Sequence, residues 1–211
     1  LPISHGYDSY KENLGVIRNV GYDLAASYTL LRNNEKQINW TVRAGITHNS
    51  NVIVKLSDAI KKQMEQFETS TASGSSYYQY REGYSTNDLW VYKSIGVDPE
   101  TGKRLYVDQN GTVTTNYAVC RKVSVGSALP TIDTRFGTSF RWKGLMLDLG
   151  FAYRYGAKMI NRTLMDKIEN AQLYYNVDPR VVQYRWKKPG DITAYKDIAS
   201  TANTPDNTSF V

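Results

Sequence analysis

Few residues in this sequence are placed to make or break bonds. His5 and His48 are its only histidines, and neither has neighbours at triad or metal-ligand spacing. Cys120 is the only cysteine, which excludes a disulfide within the chain and a cysteine-based metal site. No GxSxG, HExxH or P-loop occurs. Asp98, Glu100, Asp108 and Asn110 carry the oxygens a calcium loop needs, but not at EF-hand spacing, and two turns, Asp98–Gly102 and Asp108–Gly111, account for them. A carboxylate pair does acid–base work only at a set separation across a cleft. The expectation is no enzyme, no metal and no cofactor.

What the residues offer is binding chemistry. Tyr77, Tyr78, Tyr80, Tyr84, Trp90 and Tyr92 crowd into one stretch. Aromatic faces there can stack on sugar rings, anchor a protein partner or pack on one another. If Trp90 binds ligand, its replacement by Ala weakens binding and leaves assembly intact. A second set is made of charges that interrupt otherwise apolar segments: Asp23, Arg43, Asp148 and Arg154.

The elements that hold these charges alternate with period two. In Thr134 to Tyr155, Phe136, Thr138, Phe140 and Trp142 share one face of the first arm. Leu145, Leu147, Leu149, Phe151, Tyr153 and Tyr155 share one face of the second. Lys143-Gly144 between them reads as a two-residue turn in which Gly supplies the positive φ. Val20 to Leu31 and Ile38 to Thr47 repeat the design around a turn at 32–36, with Val20, Tyr22, Leu24, Ala26, Tyr28 and Leu30 on the first apolar face. Half-buried strands of a soluble sandwich also alternate. The second arm, however, carries its apolar face for the 9–11 residues a tilted membrane strand needs, and its aromatics gather toward the ends, as interfacial girdles do.

The connections are asymmetric. The two tight turns contrast with excursions over roughly 49–133 and 156–207. Structureless loops of that length are rare in compact domains. Short turns at one end and long loops at the other describe an outer-membrane barrel. The first excursion predicts a short helix on Leu56, Ala59, Ile60, Met64 and Phe67 with Ser57 as N-cap, and a strand at Lys103–Val107. The second predicts a helix from Asn161 onward on Leu164, Met165, Ile168 and Leu173, and a Trp186 stacked with flanking cations.

Composition agrees with a β protein: 17 Tyr and 4 Trp accompany a negative mean hydropathy of -0.51. No run of 18 apolar residues is present, so no membrane helix is expected, which leaves a membrane barrel open. A net charge of +6 is scattered rather than gathered into a stripe, which argues against nucleic acid. The first residue is Leu1, no leader is visible, and Ser209–Val211 reads like the opening of a further strand. The sequence is therefore expected to be part of a longer chain.

Four stretches carry a family resemblance: NLGVIRNVGYDL (Asn13 to Leu24), YREGYSTNDLWVYKSIGVDPETGKRLYVDQNG (Tyr80 to Gly111), LPTIDTRFGTSFRWKGLMLDLGFAYRYG (Leu129 to Gly156) and NVDPRVVQYRWKKPGD (Asn176 to Asp191). In this order they resemble the SusC-like, TonB-dependent outer-membrane transporters of Bacteroidetes. The resemblance implies an all-β fold, part of a large antiparallel transmembrane β-barrel with long extracellular loops and small helices in those loops. It places residues 1–211 late in the barrel, with the plug, the TonB box and the closing strands outside this sequence. It implies an integral outer-membrane location, import of glycans or peptides, a SusD-like surface lipoprotein as partner and TonB as energy source. Under it, Tyr77, Tyr78, Tyr80, Trp90 and Tyr92 are the residues placed to meet ligand or lipoprotein. Asp23, Arg43, Asp148 and Arg154 face the lumen, and the apolar flanks face outer-membrane lipid. The rival reading is a soluble or surface-exposed carbohydrate-binding β domain without transport.

Overall fold

The structure, a computed structural model, describes residues 15–69, 78–171 and 178–198. Its frame is a four-stranded antiparallel sheet in the order β1-β2-β8-β9. The strands are β1 (Gly15–Asn33), β2 (Ile38–Leu56), β8 (Ile132–Trp142) and β9 (Leu145–Tyr155). Between β2 and β8 lie α1 (Asp58–Thr69), β3 (Asp88–Tyr92), β4 (Ser94–Val97), β5 (Arg104–Val107), β6 (Val113–Thr114) and β7 (Lys122–Ser127). After β9 come α2 (Arg162–Leu164), a π-helical turn Met165–Glu169 and α3 (Arg180–Gln183).

The register sorts the side chains into two faces. Tyr22 stands opposite His48, His48 opposite Ile132, and Ile132 opposite Tyr155. One residue further, Asp23, Thr47, Asp133 and Arg154 form a row on the other face. The apolar face is bare: Leu24, Tyr28, Leu145, Phe151 and Tyr153 are each about 60% exposed or more. Every fully buried apolar residue of the described chain lies elsewhere, in the two excursions or at Ile53 near the far end of β2. Among the described residues no second layer covers the sheet, which speaks against the sandwich reading. With 11 residues in β9, about 3.4 Å of rise each and a tilt near 40° give a band about 25–30 Å tall. That is the height of an outer-membrane hydrocarbon belt.

Aromatics close both ends of the band. At the turn end the Trp40 and Phe140 rings meet edge to face at 6.4 Å, and the Trp40 indole donates to Thr138 Oγ1 at 2.8 Å. At the other end Tyr22 and His48 lie 5.3 Å apart.

Three local expectations change. A bulge between Thr29 and Leu31 puts Leu31, rather than Leu30, opposite Trp40. In the 143–144 turn the left-handed residue is Lys143, at φ 51, whereas Gly144 lies outside that region. Both long strands overrun the periodic stretch: β1 begins at Gly15 and β2 runs to Leu56. Above the band the two strands pair with each other alone, in turn-like sequence whose polar residues hide the period.

An arginine in the middle of the apolar face has no escape from hydrocarbon. Phe151→Arg is expected to destabilise the membrane-inserted protein by about 2–4 kcal/mol. Ala152→Arg, one residue on and on the opposite face, is expected to cost far less. Chemical unfolding of the full-length protein from lipid vesicles measures both.

Candidate functional site

Parity places Asp23, Arg43, Asp148 and Arg154 on one face, and the register brings them into contact with polar partners. Arg43 on β2 crosses β8 to reach Asp148 on β9, with Nη2 3.1 Å from both carboxylate oxygens. The guanidinium passes over Gly137 on β8, at ordinary van der Waals distance from where a Cβ would stand. Arg154 Nε donates to Asp133 at 2.8 Å, and Arg135 approaches the same carboxylate at 3.6 Å. Thr47 Oγ1 donates to Asp23 at 3.1 Å. Around these groups the face is floored by Ala25, Ser27, Gly45, Gly137, Gly150 and Ala152. Asp133 is a member of this array that the periodic pattern missed. It sits one residue before the stretch recognised as a strand, and extending the alternation backward finds it. The Arg43–Asp148 pair is about half exposed on both sides. It contributes about 0–1 kcal/mol, so its value is in polarity rather than stability.

The aromatic stretch divides. Tyr77 lies outside the described residues. Trp90 and Tyr92 are buried, at 2% and 9% exposure, so any ligand reaching them would first displace the chain itself. Trp90 sits under the Arg81 guanidinium, 4.6 Å from its ring centroid, and 4.8 Å from the Tyr84 ring. Tyr92 joins Tyr106, Tyr117 and Cys120 in a small core, with ring separations of 5.6 to 6.5 Å. Both belong to β3, which is buried throughout because β7 pairs with it. A run buried on both faces does not alternate, so the pattern gave no sign of it. Burial also pushes the Cys120 thiol up, which keeps it unreactive. Tyr78, Tyr80 and Tyr84 remain exposed, between 40% and 44%.

The two excursions lock together through residues with no recognisable motif role. Arg104 on β5 reaches Glu169 on the π-helical turn at 2.5 Å and the Ala194 carbonyl at 3.3 Å. Glu169 is 1% exposed at its side chain and Arg104 10%. Trp186 gives its indole N–H to the Pro99 carbonyl at 2.8 Å rather than only flanking cations. Its ring lies on Gly102, where a Cβ would stand 2.6 Å from it and the φ of +69° already favours glycine. Gly190 and Asp197 add backbone bonds to Pro99 and Gly102 at 2.9 and 2.8 Å. Arg185 is buried and ties three strands of loop together, donating to the carbonyls of Ile168, Glu169 and Lys196. A second small core of Ile168, Ala171 and Val181 sits beside it. The expected N-cap Ser57 accepts at Oγ from Ile60 at 3.4 Å, and Asn161 Oδ1, not foreseen as a cap, accepts from Leu164 at 2.9 Å.

No group of three or more His, Cys, Asp or Glu among the described residues is arranged to hold a metal ion. The polar groups that converge do so in ion pairs across the polar face of the sheet and in struts between loops.

Two outcomes test the loop body. Removing one partner of a buried pair leaves a stranded charge, so Arg104→Met is expected to destabilise the outer segment by about 3–5 kcal/mol, with much recovered in Arg104→Met/Glu169→Leu. Limited proteolysis of the assembled full-length protein reads this. Asp178 is held at about 2, below its ordinary 3.8, by hydrogen bonds from the Arg180 side chain and backbone. A lowered carboxylate pKa stabilises above the unfolded value and ceases to as pH falls through the folded one. Protection of the α3 amides, taken relative to the intrinsic exchange rate at each pH, is therefore expected to fall as pH drops from about 4 to about 2.

No protein-family model matches the chain. It is similar to two curated proteins of Formosa agariphila. TonB-dependent receptor P39 is 23% identical, over 96% of this chain and 23% of the relative. TonB-dependent receptor P3 is 25% identical, over 79% of this chain and 18% of the relative. Among solved structures, the RagAB peptide transporter superposes with a TM-score of 0.67 at 23% identity, covering 93% of this chain and 22% of its own. The RagAB peptide importer in its open-open state gives the same score and identity, over 21% of its length. The chain thus spans less than a quarter of the length of these proteins. Kinship in sequence and likeness in fold converge: the chain is homologous to the TonB-dependent receptors of the bacterial outer membrane, and its four-stranded sheet is a sector of such a β-barrel wall.

Proposed function

We propose that this chain is part of a TonB-dependent importer that brings oligosaccharides or peptides across the outer membrane, without making or breaking a bond. In this reading residues 1–211 are one piece of the barrel, and the plug and TonB box belong to other parts of the protein. A SusD-like surface lipoprotein meets the outer segments, and TonB supplies the work. The observation that carries the reading is the sheet itself. One face is apolar and uncovered over a bilayer's height, and the other is lined by paired charges and small residues. Such a wall separates lipid from a wet lumen. Its edge strands β1 and β9 would each have to pair with further strands, because hydrocarbon offers no partner to open backbone groups.

In this proposal Asp23, Arg43, Asp148 and Arg154 face the lumen, joined by Asp133 and Arg135. The contact aromatics are Tyr78, Tyr80 and Tyr84, on the outer side and exposed, with Trp90 and Tyr92 as the packing beneath them. Passage relies on binding followed by gating, so a contact residue affects uptake while leaving the barrel intact.

The expected outcome separates the two groups. Tyr78→Ala/Tyr80→Ala lowers uptake or ligand binding several-fold with normal outer-membrane assembly. Trp90→Ala costs about 3–5 kcal/mol of loop stability and exposes the first excursion to protease. Growth on oligosaccharide or peptide as sole carbon source, with heat-modifiability of the barrel as the assembly control, distinguishes them. Unchanged uptake in the double tyrosine variant would remove these residues from the binding surface.

A further inference from the structure

β1 and β2 continue past the last row that β8 and β9 share with them. Above Tyr22–His48 the pairs are Val20–Ser50, Arg18–Val52 and, after a bulge at Val54, Val16–Lys55. Alternation keeps Val16, Arg18, Val20 and Val52 on the flank that is apolar lower down. Lys55 faces Val16 across the bulge on that flank. Val16 and Val20 are each at least half exposed, and Arg18 and Lys55 are exposed as well. Arg18 forms no ion pair with any described residue. Glu82, whose charge is felt by Lys55, is already bound by Lys61 at 2.9 Å and by the Leu56 amide at 2.9 Å.

Valines alternating with cations have no purpose in open water. They suit the headgroup layer, where acyl chains end and anionic groups begin. Arg18 lies four residues beyond Tyr22, about 13 Å along the strand and about 10 Å along the membrane normal at a 40° tilt. Its long stem can reach back to the interface with its charge in the polar layer. The tight turns are at the opposite end, so this is the outer leaflet.

We propose that Arg18 and Lys55, set among Val16, Val20 and Val52 on the outer flank of the β1–β2 extension, hold the phosphate of an outer-leaflet lipid headgroup. The site rests on the membrane placement of the sheet and is independent of what the protein imports. Two cations two rows apart on neighbouring strands can converge on one phosphate, and the valines meet the upper ends of its acyl chains. Each cation near such a surface strengthens the attraction several-fold.

The test uses the full-length protein in phosphatidylcholine vesicles with and without lipid A, reading the lipid A concentration that half-saturates the rise in thermal unfolding temperature. Lipid A is expected to raise that temperature. Arg18→Glu/Lys55→Glu is expected to weaken the response by on the order of tenfold or more, with unfolding in phosphatidylcholine alone unchanged. Arg141→Glu, at the turn end of the other face, is expected to respond like the parent. Dephosphorylated lipid A and inorganic phosphate are each expected to give little shift. An equal lipid A response in parent and double variant would overturn the assignment, as would a full response to dephosphorylated lipid A. Should the double variant fail to assemble, Arg18→Gln/Lys55→Gln replaces it, and an unweakened response there is equally fatal.

Discussion

In hydrocarbon no water is available to a peptide group, so each backbone N–H and C=O within the band must find its partner in a neighbouring strand. The antiparallel ladder from β1 through β2 and β8 to β9 meets that demand over eleven unbroken rows of β8–β9 pairing. Once the ladder is fixed, side-chain parity is fixed with it, since a one-residue slip would turn every leucine inward and every arginine into lipid. The apolar flank therefore needs no core behind it. Its free energy comes from contact with acyl chains. This explains a sheet whose largest side chains are exposed while, among the described residues, the packed clusters lie in the excursions.

The loops face the opposite problem. Outside the bilayer they must fold as short segments, residues 57–131 and roughly 156–207, sizes at which a hydrophobic core alone is marginal. The chain answers with polar struts. Arg104–Glu169 and Trp186–Pro99 fasten the second excursion to the first, and the three carbonyls held by Arg185 brace the second internally. The first is in turn fastened to the barrel wall where β8 no longer covers β2. There Ile53 exchanges backbone bonds of 2.9 Å with Gly83 and Tyr84, and Asn51 Oδ1 accepts from Thr86 at 2.9 Å. A displacement of one excursion must be transmitted to the other and to the top of β2. Coupling of this kind is carried by contacts that either hold or break, because buried ion pairs do not stretch gradually.

The legible part of the sequence was the part with a period. Leu145 to Tyr155 and Val20 to Leu31 declared their faces, and with them the four-stranded sheet and the one face that Asp23, Arg43, Asp148 and Arg154 share. Where both faces of a strand are buried, as in Asp88–Tyr92, alternation vanishes, and Trp90 and Tyr92 looked like an open aromatic surface. The bulge at Leu30 was invisible because it depends on how two strands meet rather than on either alone. The Arg104–Glu169 and Gly102–Trp186 contacts join residues 65 and 84 positions apart in a region without periodicity, so only the folded chain brings them together.

The polar face raises a question of its own, since its ion pairs add little stability and yet span the wall. An unpaired arginine over the lumen would hold a fixed positive field and trap any anionic group that entered. Pairing Arg43 with Asp148 and Arg154 with Asp133 cancels most of that field while leaving hydrogen-bonding groups along the surface. Arg43 reaches over Gly137, and the low floor of Ala25, Gly45, Gly150 and Ala152 keeps the surface low between the pairs. Under the proposed function such a polar, nearly neutral wall would give a passing polar molecule many weak contacts, and tight recognition would fall to the outer loops, where exposed tyrosines rest on a packed base.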